Sequence, residues 1–134
     1  MTSDALAVVR AFFDLTEAGD FAGVSDLLDP DVVFHGTRGG LDEKQVLRGP
    51  DAVVEYLRDE ITDPWERYEV ETERLIEVGD TVVVFLHETG RPRHGDLEMQ
   101  SDTAMTFRVR QHRIVEATGY LDRDAALEAA RQTG

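Results

Sequence analysis

No cysteine occurs among the 134 residues of this chain, which excludes disulfides and any thiolate-held metal. Positive charge is scarce. Fourteen lysines and arginines stand against 28 aspartates and glutamates, a formal net charge of −14. That balance argues against nucleic acid or an anionic membrane surface as a partner, and its plain reading is solubility. Long apolar runs are missing too: the longest, Val82–Leu86, is far too short to span a bilayer. The opening Met1-Thr-Ser-Asp4 lacks the basic-then-apolar layout of a signal peptide, so a cytoplasmic location is the default expectation. There is no Gly-rich phosphate loop and no Ser-His-Asp signature. His35, His87, His94 and His112 show no i, i+2 or i, i+4 spacing, so neither a metal site nor a cofactor is expected.

What is present is an ordinary globular composition, 41% hydrophobic and 31% charged, in a length that fits a single domain over 1–134. Asp4–Ala18 carries Ala5, Val8, Val9, Phe12 and Leu15 on one stripe, the 3.6-residue period of an amphipathic helix. Gly19-Asp20 ends it, and Phe21–Leu28 predicts a second helix with Phe21, Val24, Leu27 and Leu28 inward. A short strand, Asp31–His35, follows, and then a mostly polar loop, Thr37–Arg48. Gly49-Pro50-Asp51 starts a third helix with Val53, Tyr56, Leu57 and Ile61 on its stripe. After Asp63-Pro64 the pattern turns to strands: Tyr68–Glu77, Thr81–Thr89, Leu97–Arg110 and Arg113–Leu121. Asp122 then caps a short final helix through Arg131.

Alternation assigns faces. In the first long strand Tyr68, Val70, Thr72, Arg74 and Ile76 oppose a row of glutamates. Val78-Gly79-Asp80-Thr81 reads as a tight hairpin, and its register sets Thr72 opposite His87. Val83, Phe85 and His87 then share the inner face with Met105 and Phe107, and with Ala117, Gly119 and Leu121. On this reading no carboxylate faces inward unless a bulge turns Asp102 in. His87 is the ready general base, against the plainer account of a histidine satisfied by Thr72 and water. Tyr68 and Tyr56 are candidate hydrogen-bond donors. Phe12, Phe34, Tyr56, Trp65, Thr72, Phe85, Ser101, Thr103, Met105 and Gly119 complete the expected ligand-binding wall. His35 alternates away from it. The convex face would expose Leu75, Val82, Val84, Leu86, Ala104, Ile114 and Tyr120, and so predicts a homodimer.

Several segments carry a resemblance: Val8-Val9-Arg-Ala-Phe-Phe-Asp14, Ala18-Gly-Asp20, Leu28-Asp-Pro-Asp-Val-Val-Phe-His35, Arg48-Gly-Pro-Asp-Ala-Val53, and Ile114-Val-Glu116 through Tyr120-Leu-Asp-Arg123. In this order they resemble the nuclear transport factor 2-like superfamily, in particular its SnoaL-like polyketide cyclase and ketosteroid isomerase branches. The resemblance implies an α+β fold, a curved and mostly antiparallel sheet wrapped around three helices, with a short C-terminal helix. The open end of that cone is a pocket, usually in a dimer. The positions that hold the polar groups of ketosteroid isomerases fall here on Phe12, Met105 and Gly36, so the standard isomerase is excluded. The last-strand aspartate of the fold's epoxide hydrolases falls on Gly119, and their second-strand aspartate near His87. Ala117, Gly119 and Leu121 stand where SnoaL-like cyclases keep a basic aspartate. The expectation is a pocket protein acting on a small hydrophobic, polyketide- or terpenoid-like molecule by acid–base cyclisation, isomerisation or hydrolysis. The rival is a non-catalytic ligand-binding dimer that has lost the family's carboxylates.

Overall fold

A computed structural model describes residues 4–62, 65–93, 95 and 97–133. Helix α1 (Asp4–Ala18) buries Val8, Val9 and Phe12, the stripe its period predicts. Gly19 adopts φ +75°. The Asp20 amide reaches back to the Leu15 carbonyl at 2.9 Å and the Gly19 amide to Thr16 at 3.1 Å, a left-handed cap that stops the helix. Asp20 then caps α2 (Phe21–Asp26) by accepting from the Gly23 amide at 3.0 Å. Helix α3 (Pro50–Glu55) continues as a wider π-helical turn over Tyr56–Thr62. The expected stop at Asp63-Pro64 lies outside the described residues.

The strands are β1 (Leu28–Arg38), β2 (Val46–Arg48), β3 (Trp65–Val78), β4 (Thr81–Pro92), β5 (Met99–Arg110) and β6 (Arg113–Tyr120). They form one sheet in the order β2-β1-β6-β5-β4-β3, antiparallel except for the parallel β1–β6 pair. Strand β1 is twice the predicted length and starts within the expected end of α2. Pro30, which has no amide hydrogen to donate, sits where the β1–β6 ladder is irregular, between Leu28 and Val33. Strand β2 lies in the segment expected to be loop. Its side chains are half-buried or exposed, which leaves little hydrophobic period to read.

Two layers of packing flank the sheet. On the inner side α1 and α3 meet Phe34, Val82, Val84, Leu86, Phe107, Val109, Ile114 and Ala117. The rings of Phe12, Phe34 and Phe107 are mutual neighbours, with centroids 5.4 to 6.4 Å apart. On the outer side α4 (Arg123–Thr133) lays Ala126 and Ala130 onto Val83 and Ala104, with Phe85 and Tyr120 packed alongside. Asp122 accepts from the Asp124 amide at 2.9 Å and starts that helix, as expected.

These layers correct the facing of β4 and part of β6. Val82, Val84, Leu86 and Ile114, expected on the convex face, lie in the inner core, and Leu75 packs against that core. Ala104 and Tyr120 do face outward, but α4 covers them. The convex face therefore does not offer the apolar patch from which a dimer was predicted. At Ile114 the cause is a shift in the β5–β6 ladder between Arg108 and Val109, and for β4 it is one residue of β3. The β3–β4 register runs from Val78↔Thr81 to Arg74↔Phe85 with a constant sum. It then shifts, so that Thr72 meets Leu86 and Glu71 meets His87. A bulge at Glu73 supplies the extra residue. Because side chains alternate, a one-residue slip exchanges the faces of everything that depends on it.

Candidate functional site

Between the inner face of the sheet and the helices lies a cavity of about 1050 Å³. That is room for a small organic ligand, at the upper end of such sites. Its apolar walls are Phe12 and Phe13 from α1, Phe34 from β1, Tyr56 and Leu57 after α3, and Leu86 and Met105 from the sheet, beside polar and charged lining residues.

The bulge decides which polar group reaches this space. With Thr72 opposite Leu86, the alternation of β4 turns Glu88 inward, across from Val70 on β3 and Ser101 on β5. The Tyr68 hydroxyl donates to Glu88 Oε1, and the Thr103 hydroxyl donates to Oε2 at 2.8 Å. Glu88 is half-buried, and Thr103 is only 7% exposed. Each carboxylate oxygen thus has one neutral donor from a flanking strand, an arrangement that fixes the plane of the group. Burial first, and then the adjacent Glu88 charge, push the Tyr68 hydroxyl well above its usual value, so it stays protonated and acts as a donor.

The structure brings most of the residues named for the wall to the cavity. Phe12, Phe34, Tyr56, Tyr68, Thr72, Ser101, Thr103, Met105 and Gly119 all line the cavity. At Gly119 the backbone lies so close to β1 that an added Cβ would meet Thr37 Oγ1 at 2.8 Å, so a side chain has no room there. The Trp65 side chain and His94 lie outside the described residues.

Two placements are corrected. Phe85 faces outward under α4, with the Arg123 guanidinium 4.8 Å above its ring. His87 borders the cavity, but its ring turns to the outer side and meets Asp102, Nδ1 to Oδ1, at 2.6 Å. Arg123 adds a second partner to Asp102 at 3.7 Å, pairs with Glu73 of the bulge, and donates to the carbonyls of Leu86 and Thr103 at 2.9 and 3.2 Å. The hydrogen bond to Asp102 raises the His87 pKa, and the same contact lowers that of Asp102. Asp102 keeps the outward face that its strand's alternation gives it. His35 borders the cavity, and its Nε2 pairs with Glu116 at 3.0 Å, which in turn lies 3.5 Å from Arg108.

Glu88 is the group the sequence did not disclose. The run Val82–Leu86 is apolar on both faces because α1 packs on one side and α4 on the other, so alternation alone does not orient β4. The available signal was in α4: Ala126 and Ala130 lie on one stripe and need an apolar surface beneath them, which Val83 supplies.

A cone of curved sheet closed by helices around a cavity defines the nuclear transport factor 2-like class. Residues 9–117 match the SnoaL-like domain model, and the chain belongs to that family. By sequence, no curated protein matches it. Among solved structures it is similar to an NTF2-like protein of unknown function from Burkholderia pseudomallei, with TM-score 0.77 and 21% identity over 95% of this chain and 97% of that one. It is also similar to an LEH-like epoxide hydrolase of M. tuberculosis, with TM-score 0.72 and 22% identity over 99% and 92%. A third, RV0760c from Mycobacterium tuberculosis in complex with estradiol-17beta-hemisuccinate, gives TM-score 0.74 and 22% identity over 92% and 97%. At these identities the likeness establishes the fold alone.

Proposed function

We propose that this protein binds a small hydrophobic molecule in the cone and moves a proton on it through Glu88, with Tyr68 and Thr103 holding the carboxylate. The observation that carries the reading is the inward Glu88, bonded at both oxygens, beside a cavity of about 1050 Å³. A half-buried carboxylate among aromatic walls can take a proton from a weakly acidic C–H or O–H, or direct a water. Tyr68 stays neutral and can donate to an oxygen that gains charge. Glu88 takes the place first given to His87, whose ring points to the other side of the sheet. Cyclisation, isomerisation and hydrolysis all use such a group, and the epoxide hydrolase and the steroid-bound neighbour of this fold support the substrate class.

The test needs a probe that reports carboxylate basicity in an apolar site. 5-Nitrobenzisoxazole serves: the base removes its C3 proton, the N–O bond opens, and a coloured cyanophenolate leaves. We expect saturable turnover in the parent and a loss of about a hundred- to ten-thousand-fold in Glu88→Gln. Equal rates in the two proteins would refute the base assignment. Binding of the probe without turnover in the parent would favour the second reading, a ligand-binding protein. We also propose a cytoplasmic homodimer, on the family resemblance and not on an apolar convex face; a monomer's mass by light scattering at tens of micromolar would overturn the dimer.

A further inference from the structure

Helix α4 opens on an arginine where helix physics disfavours one. Arg123 stands in the first turn, at the positive pole of the helix dipole, next to Asp124, the acidic residue that suits such a position. What offsets the misplaced charge lies outside the helix. The guanidinium sits on the outer face of the sheet, 4.8 Å above the Phe85 ring, and reaches three strands at once. Its Nε donates to the Thr103 carbonyl of β5 at 3.2 Å, and one terminal nitrogen donates to the Leu86 carbonyl of β4 at 2.9 Å. The same nitrogen donates to the Glu73 carboxylate of β3. Leu86 and Thr103 are partners on one rung of the β4–β5 ladder, and Glu73 is the bulged residue of β3. A planar fork of fixed donors can hold such a set, and the point charge of a lysine cannot.

Each anchor bears on the group inside. Thr103, gripped by its carbonyl from the outer side, is the residue whose hydroxyl donates to Glu88 Oε2 at 2.8 Å. Glu88 follows Leu86 by two residues on the same strand. The bulge governs Tyr68. Ile76 and Arg74 pair with Val83 and Phe85 of the outer face, and unbroken alternation would carry Thr72, Val70 and Tyr68 to that face as well. The extra residue at Glu73 shifts the phase, so Tyr68 arrives on the cavity side with its hydroxyl donating to Glu88 Oε1. On the reading of Glu88 as the group that moves the proton, we infer that Arg123 is its positioning residue: from the opposite face of the sheet it pins the Glu73 bulge and the Leu86–Thr103 rung, and so keeps both donors within reach of the carboxylate.

Arg123→Gln should lower kcat on 5-nitrobenzisoxazole roughly ten- to a hundredfold and leave KM within about twofold, because the walls stay and the alignment is lost. Arg123→Lys should fall between the parent and Arg123→Gln. In a Tyr68→Phe background the Arg123→Gln substitution should cost clearly less, since part of what Arg123 secures is already gone. Fluorine NMR of protein carrying meta-fluorotyrosine gives a readout that needs no turnover, with the Tyr68 signal assigned by its loss in Tyr68→Phe. Its solvent isotope shift between light and heavy water should rise in Arg123→Gln as the ring leaves the cavity. Costs that add in full in the double variant, or a Tyr68 signal that Arg123→Gln leaves unchanged, would overturn the positioning role. A parent without turnover would refute Glu88 as the base, and the fluorine signal would still decide whether Arg123 holds Tyr68 inward. If Arg123→Gln does not fold, Glu73→Gln, at an exposed position, reads the bulge contact alone. A severalfold loss of kcat with a raised isotope shift is then expected, and an unchanged rate and signal would overturn the inference.

Discussion

At the Leu86–Thr103 rung the two sides of one sheet carry two different acid–base pairs. Inside, Glu88 accepts from Tyr68 and Thr103 beside a cavity. Outside, His87 meets Asp102 under the reach of Arg123, on a face held by α4. The residues are sequence neighbours and either could move a proton. What separates them is access: one pair stands beside enclosed space and the other beside solvent. The choice between them rests on the bulge at Glu73, which Arg123 ties to the carbonyls of Leu86 and Thr103. A general base is thus selected by register as much as by residue type.

The largest effect that tests this comparison is the pair Glu88→Gln and His87→Gln, measured with the same substrate. The first should lose about a hundred- to ten-thousand-fold in turnover. The second should stay within about twofold, since its ring turns toward Asp102 on the outer side. A reversal of that pattern would mean that β4 presents its other face in solution, and the register above would be wrong.

The inner face should also dominate stability. Phe107 is fully buried, and its ring packs against Phe12, Phe13 and Phe34. Phe107→Ala should cost about 3–5 kcal/mol by denaturant titration, the usual range for an aromatic removed from a closed core. Phe85, half-buried on the outer face, should cost clearly less when cut to Ala. If the two losses are equal, α4 seals the outer face as well as α1 seals the inner one.

A smaller effect sharpens the site itself. Tyr68→Phe removes the donor to Glu88 Oε1 and keeps the ring. A hydrogen bond to a charged group contributes about 1.5–3 kcal/mol, so turnover should fall roughly ten- to a hundredfold with little change in ligand affinity. A loss confined to affinity would make Tyr68 a wall residue only.

Helix α1 was legible to the residue because its stripe is clean and a glycine cap ends it. The alternation of β5 was legible too: Thr103, Met105 and Phe107 all lie on the inner side, and Asp102 on the outer. Strand β2 was not, since three residues, two of them exposed, carry no period. The orientation of β4 was lost twice over, first because both of its faces are buried, and then because the bulge at Glu73 leaves no mark in a strand of alternating glutamates. The hairpin register was correct from Val78 to Arg74 and off by one residue beyond it. Most of the wall could still be named, since Phe12, Phe34, Tyr56 and Met105 sit on elements that the slip does not touch. The proposed acid–base group, Glu88, could not, because it lies past the slip.

The smallest expected effect belongs to the outer pair and reads its charge state. Asp102 raises the His87 pKa in the folded protein, and His87 in turn lowers that of Asp102. For a histidine with a raised folded pKa, the stabilisation is fully present below its ordinary value of about 6.5 and fades as pH rises through the folded value. For a depressed aspartate, the stabilisation is present above its ordinary value of about 3.9 and fades as pH falls through the folded value. Both contributions therefore coexist between about pH 4 and 6.5. His87→Gln should lower the thermal midpoint most in that window, by a degree or two at most given the pair's exposure, and the difference from the parent should close toward alkaline pH. Turnover at Glu88 should show no matching change. A midpoint difference that instead grows with rising pH would mean that His87 is held neutral, and the Asp102 contact would not exist in solution.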